Sequence, residues 1–487
     1  MTAGQKNKTP TKRNGADRAT GQITVGRALA LLAGTAGATF LATLALAQDG
    51  PNPSLRLTFG SALDLNDNRR LAGVAPGTST TFNNSLGLSY LTETATSSLG
   101  ITASTVLRYS KDPGKSSETT LDDPRFGLAY NRQGANSSFS LAASHRRAAV
   151  EFFDPFVLID DPEAPVDSAD LTPGVTGDRT DDAVRLKLET GIEGPFGVSL
   201  GLSHRQRDFS QTIDPDYFDT VTDSLSVAAR MQISDRSTAT LSYSRTDYSA
   251  ENIEQTDRLT QSLSLGISHA LTPDTALGVT LGRTEVTVDE TIGLVRSQRS
   301  NDGLNAQVTL NRDLVNGGIG LRFSREISIN GNRDSLSLNR NLELPDGSLA
   351  FSLGVTRLAG GSSTWVSSLA YRKDLPTGAI TATLDRKAGS TDTNDEVTTT
   401  RARLGWAHEL TPVTGIDVSF DYLDTNSDIV GNDRSRARLQ VAYTWELAQD
   451  WQLAGGYTHT ESRRETGSPA KSNAVFLSLE RAFTFAP

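Results

Sequence analysis

STATLSYSRTDY (Ser237–Tyr248) and, after a polar break, LTQSLSLGISHALTPDTALGVTLGRTEVTV (Leu259–Val288) set the pattern followed by most of the chain. In the first segment Ala239, Leu241 and Tyr243 share one face, with Thr238, Thr240, Ser242 and Ser244 on the other. In the second, Leu263, Leu265, Ile267, Leu277, Val279 and Leu281 oppose Ser262, Ser264, Ser268, Thr280 and Thr284. A two-residue period marks β-strands whose two faces meet different surroundings. A soluble sandwich would bury the apolar face in a core. A membrane barrel would turn it to lipid and leave the hydroxyls facing a lumen.

Composition separates these options. Only 36% of the 487 residues are hydrophobic, which is thin for a soluble core of this size. A barrel with a lumen needs apolar groups on one face of each strand only, so Ser, Thr, Gly, Asn or Arg can fill the other. No run after Ala47 is long enough to cross a membrane as a helix. Cysteine is absent, which excludes disulfides, thiolate metal sites and cysteine nucleophiles.

The first 47 residues differ in kind. A basic lead with Lys6, Lys8, Lys12, Arg13, Arg18 and Arg27 enters the apolar run Ala28 to Leu46 and closes on Ala45-Leu46-Ala47. This reads as a secretory signal helix cleaved after residue 47; the Ala-x-Ala ending favours cleavage over an uncleaved anchor. Residues 48–487 then carry 41 basic and 56 acidic side chains, a net charge of -15 that argues against nucleic acid as a partner.

Taken in order, the alternating runs give strands at Ser54 to Leu65, Asn83 to Thr92, Ser98 to Ser110, Pro124 to Arg132 and Ser137 to Arg147. The longest irregular stretch, Ala148 to Thr180, follows, and paired strands resume to a closing strand, Asn473 to Phe485. Ten short turns punctuate the pairs, among them Gly194-Pro195, Thr272-Pro273-Asp274, Asn316-Gly317-Gly318 and Pro345-Asp346-Gly347. They are expected to alternate strictly with longer polar loops. The expected fold is all-β: a single closed antiparallel transmembrane barrel of about 22 strands, with 18 as the lower bound. Spacing between turns is irregular, which argues against a solenoid or propeller.

The signal segment, the absent cysteine, the alternating hairpins and the aromatic-rich closing strand resemble a bacterial outer-membrane β-barrel protein of the porin-like kind. The resemblance covers nearly the whole of residues 48–487 and is architectural. Such barrels commonly end on the aromatic residue read by the assembly machinery, whereas here Phe485 is followed by Ala486 and Pro487. The resemblance implies the bacterial outer membrane as location. It also implies lipid, lipopolysaccharide, the barrel assembly machinery and small solutes as partners, with no cofactor.

Candidate chemistry is sparse. The five histidines, His145, His204, His269, His408 and His459, share the parity of their apolar neighbours and so point away from a lumen. His269 and His408, in the near-copies HALTPDT and HELTPVT, are expected at a membrane interface with Trp406, Trp445 and Trp451. Gly114-Lys115-Ser116 lacks the upstream glycine of a phosphate loop, and neither a Gly-x-Ser-x-Gly elbow nor a His-Glu-x-x-His motif occurs. No metal site and no enzymatic activity are expected.

Charge on the opposite parity is more informative. Arg108, Arg125, Arg146, Arg185, Lys187, Arg205 and Arg207 are expected to face the lumen near the external mouth. Asp385, Arg401, Arg403, Asp417, Asp421, Arg436 and Arg438 form a mixed wall further on. Residues 148–180 mix Phe152, Phe153, Phe156, Val157, Leu158 and Ile159 with Asp154, Asp160, Asp161, Glu163, Asp167 and Asp170, suiting a loop folded against a wall. By the porin-like resemblance it would tuck into the lumen, set its acids opposite the basic arc and constrict a pore for small hydrophilic solutes. Known barrels near this strand number hold a plug, and none is expected here because the first strand begins soon after residue 47. An export conduit for a polymer, or an adhesive or structural barrel with an occluded lumen, are the alternatives.

Overall fold

Leu241, Leu265 and Leu281 stand in one cross-strand row and are each more than half exposed, while Ser264 and Thr284 on the opposite face are buried. The buried hydroxyls are satisfied locally: Thr284 donates to Ser262 at 3.0 Å, and Asn305 Nδ2 donates to Ser262 and Ser264 at 3.0 and 3.1 Å. Polar-inside and apolar-outside inverts the order of a water-soluble protein. It excludes a sandwich core and requires hydrocarbon around the strands.

The computed structural model describes residues 53–160, 166, 169–212, 214–391, 395–427, 432–465 and 468–485; the expected signal helix lies outside them. The strands are β1 (Ser54–Asn66), β2 (Ser79–Glu93), β3 (Ser97–Lys111), β4 (Glu118–Gln133), β5 (Ser137–Ala149), β6 (Asp178–Thr190), β7 (Phe196–Ser210) and β8 (Thr220–Ser234). Next come β9 (Ser237–Ala250), β10 (Thr256–Thr272), β11 (Thr275–Ile292), β12 (Val295–Leu314), β13 (Gly317–Ser328), β14 (Gly331–Leu344) and β15 (Gly347–Arg357). The remainder are β16 (Ser363–Leu375), β17 (Gly378–Ser390), β18 (Glu396–Thr411), β19 (Thr414–Ser427), β20 (Arg434–Ala448), β21 (Trp451–Arg464) and β22 (Ala470–Phe485).

Every strand pairs antiparallel with its sequence neighbour, and β22 returns to β1. The closing seam sets Leu57 beside Phe483, Leu63 beside Leu477 and Leu65 beside Val475 on the outer face. Closure leaves no open edge between first and last strands. Twenty-two strands about 4.8 Å apart and tilted about 40° enclose a cylinder roughly 44 Å across at the backbone.

The ten short turns lie at one rim. Gly317 and Gly378 show why some of them need glycine: both have φ in the left-handed half of the map, at 121° and 155°. An added Cβ would fall 2.1 Å from the Asn341 carbonyl oxygen and 2.0 Å from that of Ala407. At the opposite rim the expected strict alternation with long loops fails twice. β11 joins β12 through Gly293-Leu294 alone, and β13 joins β14 through Ile329-Asn330. Length has moved into the strands instead: β12 pairs with β13 only from Ala306, so its earlier half has β11 alone as a ladder partner.

Candidate functional site

The connection between β5 and β6 carries too many apolar residues to sit in water, and it folds into the lumen. It is shorter than the expected 148–180, because both flanking strands extend into it. Its described parts include three short 3-10 turns, Val150–Phe152, Pro155–Ile159 and Ala169–Leu171. Pro155 presets the backbone of the second turn, and the Asp154 carboxylate accepts from Phe156 N at 3.1 Å to cap it.

Cations clamp the root of this loop. The Phe152 ring lies beneath the guanidiniums of Arg69 and Arg108, 4.3 and 3.6 Å from its centroid, and Phe153 lies 4.1 Å from that of Arg179. Glu151 pairs with Arg70 at 2.7 Å, and Asp112 with Arg69 at 2.8 Å. Burial opposes ionisation of Asp112, yet hydrogen bonds from Arg69 and Ser79 and the charges of Arg69 and Arg70 hold its carboxyl below the usual range. Arg179 binds Asp170 at 2.5 Å and Asp181 at 2.7 Å. Tyr217, from the β7–β8 loop, donates to the carbonyls of Ala169 and Thr172 at 2.8 and 3.2 Å. Burial, reinforced by Asp170 and Asp214, pushes its phenol well above the ordinary range.

The tip reaches a distant wall. Phe156, Leu158, Ile159, Val166 and Leu171 cluster with Leu423 of β19. Leu171 and Leu423 are fully buried, and Phe156 is 2% exposed. Around this patch Asp154 pairs with Arg438 at 2.7 Å and Asp160 pairs with Arg403. Asp421 sits between the two arginines, accepting from Arg403 at 2.6 Å and from Arg438 at 2.7 Å. Arg438 also covers the Phe156 ring at 4.4 Å, and Arg436 donates to the Leu171 carbonyl at 3.4 Å. Asp154 and Asp160 thus add carboxylates to Arg438 and Arg403 beside the one Asp421 supplies, so docking combines apolar burial with ion pairing.

From β5 and β6, the shorter way round to β18–β20 passes β4, β3, β2, β1, β22 and β21. The loop therefore runs across the lumen as a chord. It closes off a cavity of about 570 Å³ against the β20–β3 side, lined among others by Asp64, Arg69, Arg108 and Arg438. On its other side lie a cavity of about 350 Å³ lined by β6–β10 and Ser390 of β17, and one of about 650 Å³ lined by β13–β18 and the loop residues Ile159 and Asp160.

Among the described residues, most of the expected basic arc meets carboxylates of its own wall, and Arg207 also reaches the loop's Asp170 at 4.0 Å. Arg108 pairs with buried Asp122, and Asp123 accepts from Arg125 at 3.0 Å and from Arg146 at 2.7 Å. Arg207 reaches Asp181 at 3.3 Å. Lys187 lies three residues from the short-turn end of β6, bound to Glu189 at 2.9 Å, and so departs from the expected mouth position. Arg185 and Arg205 lie on β6 and β7 in the 350 Å³ cavity. The acids Asp154 and Asp160 meet the mixed wall instead of this arc; Asp161, Glu163 and Asp167 lie outside the described residues.

At the short-turn rim His269 and His408 hold equivalent positions, with Nδ1 2.9 Å from Ser237 Oγ and 3.2 Å from Thr377 Oγ1. His408 stacks on Trp406 at 5.5 Å; Trp445 is exposed, and Trp451 lies 4.9 Å from the Arg481 guanidinium. Several structural partners escaped sequence reasoning, among them Asp122, Asp123, Tyr217 and Leu423. Leu423 did carry a signal, since it breaks an inward polar register on β19 with an apolar residue. Asp122 and Asp123 carried none, because they precede a register shift between β3 and β4.

No protein-family model matches this sequence, and no curated protein matches it. Solved structures do match in fold. The ferric-catecholate import receptor Fiu from E. coli K12 in its open form aligns with a TM-score of 0.53 at 10% identity, over 90% of this chain and 82% of that one. The FrpB iron transporter from Neisseria meningitidis aligns with a TM-score of 0.53 at 11% identity, over 90% and 82%. BauA, the ferric preacinetobactin receptor from Acinetobacter baumannii, gives 0.50 at 9%, over 88% and 80%. The likeness is one of fold. Together with the apolar exterior, it makes this chain a bacterial outer-membrane barrel.

Proposed function

We propose that this barrel is a conduit for small hydrophilic solutes across the outer membrane, narrowed by the β5–β6 loop. The carrying observation is the chord: a polar-lined cylinder of 22 strands crossed by a loop anchored at both walls. The loop leaves the β6–β18 wall facing the lumen, where passive diffusion would pass. The fold-level neighbours supply a weaker support, since those proteins are receptors and transporters.

The buried anchor around Leu423 favours a second reading, in which the loop undocks to widen the passage. Single-channel conductance of the purified protein in planar bilayers tests both, with and without residues 151–177. Small conductance that rises sharply on deletion supports a constricting loop. Large conductance appearing in rare bursts, made permanent by deletion, supports a gate. Silence in both forms rejects a conduit and leaves an adhesive or structural barrel.

A further inference from the structure

On the β13–β18 wall the inward register sets Asn339, Ser352, Ser368, Asp385 and Arg401 in one row across five adjacent strands. The next row toward the short-turn rim holds Asn341, Ala350, Ala370 and Thr383. Both rows are small at their centre, where β15 and β16 supply only serine and alanine. Longer side chains stand on either side, the two asparagines on β14 and Asp385 on β17. The wall is therefore hollowed into a trough two strands wide, and Ile159 and Asp160 from the tip of the β5–β6 loop complete it as the 650 Å³ cavity.

The charge of this lining is balanced, with Arg322 and Arg401 against Asp160 and Asp385. The 350 Å³ cavity differs, being lined by four arginines and no carboxylate. Within the trough, Asp160 is held by Arg403, and Gln307 accepts from Arg322 Nη2 at 2.8 Å. Arg401 is 2% exposed. The buried Oδ2 of Asp385 has no hydrogen-bond partner among the described residues, an acceptor that a donor entering the trough would satisfy.

We propose that this trough is a binding site for a neutral polyhydroxylated solute, a short saccharide in transit. Each hydroxyl of such a solute both donates and accepts, and the trough offers both: amides on one side, a carboxylate on the other and serine hydroxyls between. The paired methyls of Ala350 and Ala370 give the floor an apolar strip for the C–H face of a sugar ring. A simple ion would meet balanced charge. Arg322 on β13 and Asp385 on β17 stand four strands apart, about 19 Å at the backbone, too far for the adjacent charges of an α-amino acid to engage both. A volume of about 650 Å³ falls within the roughly 300–1,000 Å³ of small-molecule sites. The site names a substrate class for the proposed conduit and rests on that reading for transit, but not for binding.

The test is titration calorimetry of glucose, sucrose and maltotriose against the full chain in a detergent without a sugar headgroup, with conductance recorded in parallel. At least one of the three should bind saturably, about one per barrel, with a Kd of about 1 mM or tighter. The affinity should fall about ten-fold or more in N339A/N341A/D385A, and R185Q, on the β6 wall, should leave it unchanged. Ser352→Trp fills the floor while keeping those three polar side chains, and should abolish binding. Heat-dependent gel mobility checks that each variant is folded. Absence of saturable binding by all three sugars, or wild-type affinity in both trough variants, overturns the site. Tighter binding of glucuronate than of glucose would overturn a neutral ligand. Conductance without sugar binding removes the site and keeps the conduit; sugar binding by a silent barrel does the reverse.

Discussion

Replacing Phe156 with Ala should release the lumenal loop while leaving the barrel intact. The ring is 2% exposed, seated among Leu158, Ile159, Leu171 and Leu423 and capped by Arg438. Truncating a buried phenylalanine costs about 3–5 kcal/mol through lost transfer energy and the cavity left behind. The loop can partly collapse into the gap, so the low end, about 3 kcal/mol, applies to the docking step. At 1.4 kcal/mol per factor of ten, the undocked population should rise about a hundred-fold.

The absence of cysteine makes this measurable, because a single introduced thiol is the only one in the chain. Leu171 is fully buried in the docked loop, so Leu171→Cys should react slowly with a maleimide, limited by undocking. Adding Phe156→Ala should speed modification about a hundred-fold, up to the rate of an exposed thiol. Rapid labelling of Leu171→Cys alone would show that the loop does not dock. Equal rates with and without Phe156 would show that this ring does not hold it, and either result refutes the anchoring argument.

Three further outcomes follow from other contacts. Asp122→Ala strips buried Arg108 of its carboxylate and the Ala149 N–H of its acceptor, so the heat-dependent gel-mobility transition should fall, by the equivalent of about 3–5 kcal/mol. Tyr217→Phe removes the hydroxyl that bonds the Ala169 and Thr172 carbonyls, worth about 1–2 kcal/mol, and should speed Leu171→Cys labelling about ten-fold with no change in that transition. Asp112 has a folded pKa below its unfolded value. Its contribution is therefore complete above the unfolded value, about 3.9, and is lost as pH falls through the folded one. Hydrogen exchange of residues 67–78, corrected for intrinsic rates, should hold steady from pH 7 to about 5 and lose protection only below about 4.

Closure, strand number and the ten short turns were legible because each is local: a two-residue period and a Gly, Pro, Asn or Asp turn declare themselves in the sequence. So was the parity of the charged residues. The partner of each charge was not. Asp154 and Asp160 lie within thirty residues of Arg146 and Arg179, yet the structure pairs them with Arg438 and Arg403 on the far side of the lumen. Parity fixes which face a residue occupies and says nothing about which arc of a closed cylinder a loop will reach. The two-residue connections at Gly293-Leu294 and Ile329-Asn330 misled for a related reason, since polar residues there continue strands beyond their neighbours.

The far-wall pairing changes what the constriction can do. Had the acids faced the β3–β7 arginines across an open gap, a field would run transverse to the passage and orient any dipolar solute. Instead Asp154, Asp160 and Asp421 neutralise Arg403 and Arg438 at contact, and Asp122 and Asp123 absorb Arg108, Arg125 and Arg146. Charge spent in short pairs projects little field, because opposite charges a few ångströms apart cancel at distance. Arg185, Arg205, Arg207 and Arg258 line a cavity on the side of the chord left facing the lumen. In the proposed conduit the loop would therefore act by occupying space rather than by setting a transverse field.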